Sequence, residues 1–157
     1  MSRRRQATKR PLAKDGKYQN TLVARLVNTV MCSGKKNTAQ RIVYGAFDTI
    51  SEKNPASNPI EILQRAVDNA KPRIETKARR VGGATYQVPL EIPAERQHAL
   101  ALRWIVDFAD ARKGVPMQQA LASELMEAYQ GQGGAIRKRD DVHKMAQANK
   151  AFAHFRW

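Results

Sequence analysis

Apolar residues recur along most of the chain with the spacing of α-helices. In the first such stretch, from Asn20, two neighbouring positions of every turn are apolar, which gives the helix one buried face. Glycine and proline interrupt the pattern, and Asn58-Pro59 is typical of a helix start. We therefore predict six helices, over about residues 20–32, 37–53, 58–70, 94–112, 116–130 and from 135 onward. The fourth is the most apolar and is predicted to be the central helix.

Residues 72–92 alternate with a period of two instead, which is typical of β-strands. Gly82 and Gly83 suit the positive φ angles of a tight turn between two strands. Pro89 cannot donate a hydrogen bond to a ladder, so we predict an edge or free ribbon. On the first strand one face carries Arg73, Glu75, Lys77 and Arg79, and on the second one face carries Tyr86, Val88, Leu90 and Ile92.

The charge of the chain predicts a polyanionic partner. Lys and Arg number 28 against 14 Asp and Glu among 157 residues, a formal net charge of +14. Such an excess causes self-repulsion in a compact state, and nucleic acid is the commonest partner that neutralises it. A membrane surface fits poorly, because no apolar run approaches the roughly 18 residues of a spanning helix. The predicted fold is mainly α: a single six-helix domain over residues 18–157, with a protruding two-stranded β-ribbon, and a disordered basic N-terminal arm over residues 1–17.

The chain shows little catalytic chemistry. Cys32 is the only cysteine, which excludes an internal disulfide and suits a reducing compartment, and the first residues contain no apolar signal segment. The three histidines have no partners at metal-ligand spacing, and for His98 a surface or capping role is favoured over a nucleic-acid contact. Asp140 and Asp141 are adjacent and do not face each other on a helix, so a capping or solvated role is favoured. We predict a cytoplasmic protein without a catalytic residue, a cofactor or a metal.

Basic residues cluster in the arm, the first interhelix turn, the ribbon, and the fourth and last helices. Lys and Arg there would neutralise phosphates and release counterions, which gives affinity without sequence information. On the ribbon, Tyr86 with the guanidinium planes of Arg79 and Arg80 could stack on unpaired bases, and plain cross-strand packing of Tyr86 is an equal alternative.

Two other classes of function compete with RNA binding. In an architectural DNA-binding protein, a basic β-arm enters the minor groove, but the turn Gly82-Gly83-Ala84 lacks the apolar wedge that such proteins insert. An RNA-modifying enzyme would need a catalytic constellation that the sequence does not show.

Five ordered blocks of the chain closely resemble the bacterial family of small-subunit ribosomal protein number seven. The first runs from Asn20 to Ala46 and includes Gly34-Lys35-Lys36. The others are Pro72-Arg73, Arg79 to Gly83 with Tyr86 to Pro89, Leu102-Arg103-Trp104, and Ala148 to His154. The resemblance covers essentially the whole chain.

The resemblance implies a structural constituent of the small ribosomal subunit that has no catalysis. Family members bind the 3′ major domain of 16S ribosomal RNA, nucleate assembly of the subunit head and lie at the subunit interface near the exit-site transfer RNA. The implied partners are therefore 16S rRNA, exit-site tRNA and neighbouring small-subunit proteins, with the chain a monomer within the ribosome. Some members also repress their own operon, which makes the chain's own messenger RNA a further candidate partner.

Specific residues follow from the clusters and the resemblance together. The residues predicted to bind ribosomal RNA are Arg3, Arg4, Arg5, Lys9, Arg10, Lys35, Lys36, Arg41, Arg73, Lys77, Arg79, Arg96 and Arg103. Those predicted to face transfer RNA are Arg80, Gly82, Gly83, Tyr86, Arg137, Lys138 and Lys144.

Overall fold

A computed structural model describes residues 10–55 and 57–155. Arg3, Arg4, Arg5 and Lys9 of the predicted RNA-binding set lie outside the described residues. Within the described ranges the chain forms six α-helices, a two-stranded antiparallel sheet and a C-terminal 3₁₀ helix. In chain order these are α1 (Thr21–Val30), α2 (Lys36–Lys53), α3 (Pro59–Ala70), β1 (Ile74–Val81), β2 (Ala84–Glu91), α4 (Ala94–Asp110), α5 (Met117–Tyr129), α6 (Gly134–Ala148) and the 3₁₀ helix (Lys150–Phe155). The predicted fold class is confirmed.

Local signals explain where the helices begin. The Asn20 side chain accepts a hydrogen bond from the Leu22 N–H at 2.7 Å and caps α1. Asn58 caps α3 in the same way, accepting from the Ile60 N–H at 3.0 Å, with Pro59 at the first helical position. These caps satisfy N–H groups that have no partner inside the helix.

The end of the predicted N-terminal arm is attached to the helical domain. Asp15 is buried, and its carboxylate accepts from the N–H groups of Lys17 and Tyr18, both at 3.1 Å, and from the Tyr44 hydroxyl at 2.8 Å. The Tyr18 ring packs edge-on against Tyr44 and Phe47. The arm predicted for residues 1–17 thus contacts α2 from Asp15 onward, because a buried carboxylate is stable only where donors surround it.

One apolar core joins α1 to α5 and the start of α6. The prediction that α4 is the central helix is corrected, because α5 is buried more deeply. Six of its 13 residues are buried, against four of 17 in α4. The buried positions of α5 are alanines, leucines and Glu124, whereas Trp104 and Phe108 of α4 are only partly buried. The apolar content of the sequence alone therefore did not identify the most deeply buried helix.

The β-ribbon stands apart from this core. Its strands pair from Ile74 opposite Glu91 to Val81 opposite Ala84, and Gly82 (φ 57°) and Gly83 (φ 93°) form the turn as predicted. No described ribbon residue belongs to the main core cluster, and Val88 is buried outside it. β1 contacts α6, and β2 contacts the 3₁₀ helix. The ribbon is therefore supported by the C-terminal elements.

The strand register places the two predicted sets of side chains on the same face of the ribbon. Residues directly opposite each other in an antiparallel pair share a face. Arg79 lies opposite Tyr86 and Lys77 opposite Val88, so the charged set of β1 and the apolar set of β2 lie on the same face.

Candidate nucleic-acid interface

The turn before α2 concentrates positive charge at a helix N-terminus. Lys35 occupies the N-cap position without a side-chain cap, Lys36 begins the helix, and both are exposed. Ser33 (φ 52°) and Gly34 (φ 73°) adopt the left-handed conformation that separates α1 from α2. The Lys36 N–H donates to the Gly34 carbonyl at 2.8 Å, so it is the positive end of the helix dipole that lies beside the two exposed ammonium groups. This arrangement suits a phosphate.

Further exposed cations lie on the helices. Arg10 and Arg41 are exposed, and Arg103 is exposed on α4, seven residues and hence two turns from Arg96. On α6 the exposed cations are Arg137, Lys138 and Lys144. Apart from Arg10, which lies before α1, each is a long side chain on a helix and can reach a phosphate without moving the backbone.

Arg96 has a partner within the protein. Its guanidinium donates to both carboxylate oxygens of Glu75 on β1, at 2.8 and 2.9 Å, and this pairing raises the pKa of Arg96. The prediction that Arg96 grips phosphate must therefore include this bond, which ties α4 to the base of the ribbon. Sequence spacing could not show it, because the two residues are 21 positions apart.

Cations lie along the ribbon, whose turn consists of two glycines. Arg73, Lys77 and Arg80 are exposed, Arg79 is half-buried, and Gly82 and Gly83 are exposed at the turn. The backbone N–H of Arg73 donates to Nε2 of His143 on α6 at 3.0 Å. Burial lowers the pKa of His143, as do the nearby Arg139 and Arg73 charges, so the ring stays neutral and can accept this bond.

Tyr86 contacts the C-terminal segment. Its ring centroid lies 5.1 Å from that of Phe152 and 5.2 Å from that of Phe155. Of the two roles left open by the sequence, packing is the one that the structure shows, although the partners come from the 3₁₀ helix instead of the opposite strand. An aromatic cluster of this kind joins the ribbon to the chain end.

Sequence reasoning missed a charged cluster between α4, α5 and α6. Glu124 is only 1% exposed, and it accepts from Arg112 Nη2 at 2.6 Å and from the Ala135 N–H at 3.0 Å. Arg112 also donates to Glu127 at 2.7 Å, and the two carboxylates raise its pKa. The cluster joins the end of α4 to the start of α6. The only available signal was a glutamate at an inward position of α5.

Asp140 forms an ion pair with Arg139, a role that was not predicted. The carboxylate accepts from Arg139 Nη2 at 2.6 Å, and the same guanidinium also donates to the Asn69 carbonyl of α3. The Asp140 side chain remains 47% exposed, so the expected solvated role is compatible with the structure, and the ion pair with its neighbour adds to it. Arg139 is half-buried, unlike Arg137 and Lys138 beside it.

Neither metal ligation nor membrane insertion is supported by the described residues. Among residues 10–55 and 57–155 no three His, Cys, Asp or Glu side chains are grouped so as to hold a metal ion. In the same ranges no helix is both long and apolar enough to cross a membrane.

A rigid helical core that presents exposed cations at a helix start and along a ribbon is typical of an RNA-binding protein. The chain belongs to the family described as "Ribosomal protein S7p/S5e", which it matches over residues 2–150. It is 55% identical over 157 residues to the "Small ribosomal subunit protein uS7" of Akkermansia muciniphila, covering 100% of both chains. It is 53% identical to the protein of the same name from Francisella tularensis subsp. holarctica, again over 100% of both chains.

Membership of this family confirms several predictions. The chain is a structural component of the small ribosomal subunit, works in translation and is not an enzyme. As a ribosome component it binds ribosomal RNA and lies among other ribosomal proteins. The predicted location, the ribosome of the cytoplasm, agrees with this membership.

Proposed function

We propose that the chain is a primary binder of the 3′ major domain of 16S ribosomal RNA and nucleates assembly of the subunit head. The observation that carries this proposal is the start of α2, which has no side-chain cap and where Lys35 and Lys36 are exposed beside the positive end of the helix dipole. This end of α2 provides both charge and directed donors for phosphate, and Arg41 lies little more than one turn further along the helix.

Binding at an RNA junction would fix helices that otherwise sample many orientations. The apolar core holds α1 to α5 as one unit, so cations on different helices keep fixed separations. An RNA that matches these separations can place many phosphates against these cations at once, whereas a duplex of uniform shape can place fewer. Recognition of this kind depends on shape more than on base sequence.

The ribbon extends this proposal to other partners. Arg73 at the base of the ribbon, with Lys77 and Arg79 further along β1, would contact ribosomal RNA, while Arg80 and the exposed Gly82-Gly83 turn would approach the exit-site transfer RNA. Glycine at the tip lets the backbone come close to another molecule. The exposed cations of α6 would serve the same surface. Tyr86 would act by holding the ribbon, because its ring already packs on Phe152 and Phe155.

Repression of the chain's own messenger RNA has weaker support. Such repression would use the same cations if the messenger RNA has the shape of the ribosomal site. No described residue distinguishes the messenger RNA from the ribosomal RNA. The architectural DNA-binding alternative receives no support, since the tip offers glycines and alanine in place of an apolar wedge.

Filter binding to a transcribed 3′ major domain tests the proposed site at α2. We expect the double variant Lys35→Ala/Lys36→Ala to weaken binding and to lower the salt slope by about one for each phosphate that the two side chains neutralise. The control Lys53→Ala/Lys113→Ala removes two exposed positive charges elsewhere. Equally weakened binding by the two variants would mean that the α2 turn is not a specific contact.

A further inference from the structure

A polar cavity of about 350 Å³ lies where α1, α3 and α4 meet. A volume of this order is within the usual range for a site that holds a small molecule or a single nucleotide. It is lined by Asn20, Thr21, Leu22, Arg25, Gln64, Val67, Asp68, Lys71 and His98. Of these, Arg25 and Lys71 carry positive charge, Asp68 negative, and none belongs to the surfaces described above.

The lining combines three kinds of chemistry. Arg25 is exposed, and Lys71 forms an ion pair with Asp68, so one positive charge remains in excess. Thr21 and Gln64 supply neutral groups that both donate and accept hydrogen bonds. Leu22, which is half-buried, supplies a small apolar surface.

His98 is the most informative member of the lining. Its Nδ1 is buried and has no hydrogen-bond partner among the described residues. A buried polar atom without a partner costs free energy, and such atoms are few in native structures. The χ2 torsion of histidine has a broad, two-fold profile, so a ring turn can bring this nitrogen to the cavity.

The charge state of His98 narrows the class of ligand. Burial lowers the pKa of His98, and the nearby Lys71 and Arg25 charges lower it further. The ring is therefore neutral at pH 7, and it acts as a hydrogen-bonding group instead of an anion-binding cation.

We propose that this cavity binds one unpaired nucleotide of an RNA, with the phosphate at Arg25 and the base against Leu22 and His98. A phosphate alone would leave the neutral and apolar groups unused, and an acidic peptide side chain would leave the same groups unused. The proposal rests on the proposed RNA-binding function, but the cavity can be tested without the ribosomal RNA.

The test is an NMR titration of the full-length protein with each of the four nucleoside 5′-monophosphates, and separately with inorganic phosphate. His143 and His154 lie outside the cavity and serve as internal controls. We expect the ring resonances of His98 and the methyl resonances of Leu22 to shift and saturate in the millimolar range with at least one nucleotide. The two control histidines should shift much less, and inorganic phosphate should have a smaller effect.

Two variants make the result specific. His98→Phe keeps a ring of similar size but removes both nitrogens, and we expect nucleotide affinity read at Leu22 to fall about tenfold. Arg65→Gln removes a charge on α3 whose guanidinium lies over the Tyr129 ring, outside the cavity, and should leave affinity unchanged. Equal shifts at all three histidines, equal effects of phosphate and nucleotide, or no shift at all would overturn the proposal. Failure of the 3′ major domain to bind, with these shifts intact, would instead overturn the proposed function.

Discussion

The helical core and the β-ribbon are built on opposite principles. Each of α1 to α5 buries an apolar face in one cluster that includes Phe47, Leu63 and Leu121, all 0% exposed. The ribbon contributes no described residue to that cluster. It is held by a few specific contacts: the Arg96–Glu75 ion pair, the His143 hydrogen bond and the Tyr86 ring contacts.

The core therefore provides most of the stability, whereas the ribbon provides charged groups for recognition. Apolar burial is the main source of folding free energy, so the core can keep its shape while the surface carries a large positive charge. Among the residues of β1 and β2 only Val88 is buried, and the nearby cations Arg73, Lys77 and Arg80 are exposed. Helix α6 belongs to both regions, since Ala135 and Ile136 lie in the core cluster while Ala146 is buried outside it.

The largest expected loss of stability comes from opening the core. Phe47→Ala removes the largest fully buried side chain and should lower the free energy of unfolding by about 3–5 kcal/mol. Chemical denaturation measures this. Val115→Ala, at an exposed apolar position, is the control and should change stability by no more than about 0.5 kcal/mol. Equal losses would show that the core is not where stability resides.

The charged cluster that joins α4, α5 and α6 should have an intermediate effect. Glu124→Ala leaves Arg112 with one carboxylate partner and the Ala135 N–H with none, so we expect a loss of about 2 kcal/mol. The partly exposed Glu127→Ala should cost clearly less. Thermal unfolding of both variants measures the difference, and a larger loss for Glu127 would reverse the assignment.

The core and the ribbon also differ in how much of their structure the sequence predicts. Helix positions follow from period and from local caps such as Asn58-Pro59, which need only neighbouring residues. The contacts that orient the ribbon join residues far apart in the chain, such as Arg73 and His143, which are 70 positions apart. No local pattern encodes them. The exposure of Lys35 and Lys36 was predictable, but the cavity at His98 was not, because three separate elements form it.

Acidification should loosen the ribbon before it affects the core. The folded-state pKa of His143 is lowered below the usual value of 6.5, so the unfolded state binds the proton more readily. Its contribution to stability is therefore present above about pH 6.5 and is lost as the pH falls through the lowered pKa. Protonation also converts Nε2 from acceptor to donor and removes the bond from the Arg73 N–H.

Amide hydrogen exchange of Arg73 between pH 7.5 and 5.5, corrected for intrinsic rates, measures this loss. Protection should decrease in the wild type and change less in His143→Gln, whose amide oxygen can accept at both pH values. The core amides of α5 provide the reference. A parallel loss of protection in α5 would mean that the two regions are not separate.

Deleting most of the ribbon should have the smallest effect on the core. Removal of residues 76–85 takes away no described member of the core cluster, so helical circular dichroism and the main thermal transition should persist. A collapse of the helical signal would show that the ribbon supports the core after all.

Competition between RNA and DNA is the measurement that tests the central claim most directly. The purified protein is bound to the 3′ major domain of small-subunit ribosomal RNA and competed with duplex DNA of equal charge across a salt series. If cations on a rigid core recognise RNA shape, RNA selectivity persists as the salt concentration rises and the shared electrostatic contribution weakens. Equal competition by the duplex at every salt concentration would contradict the account and leave only a non-specific polycation.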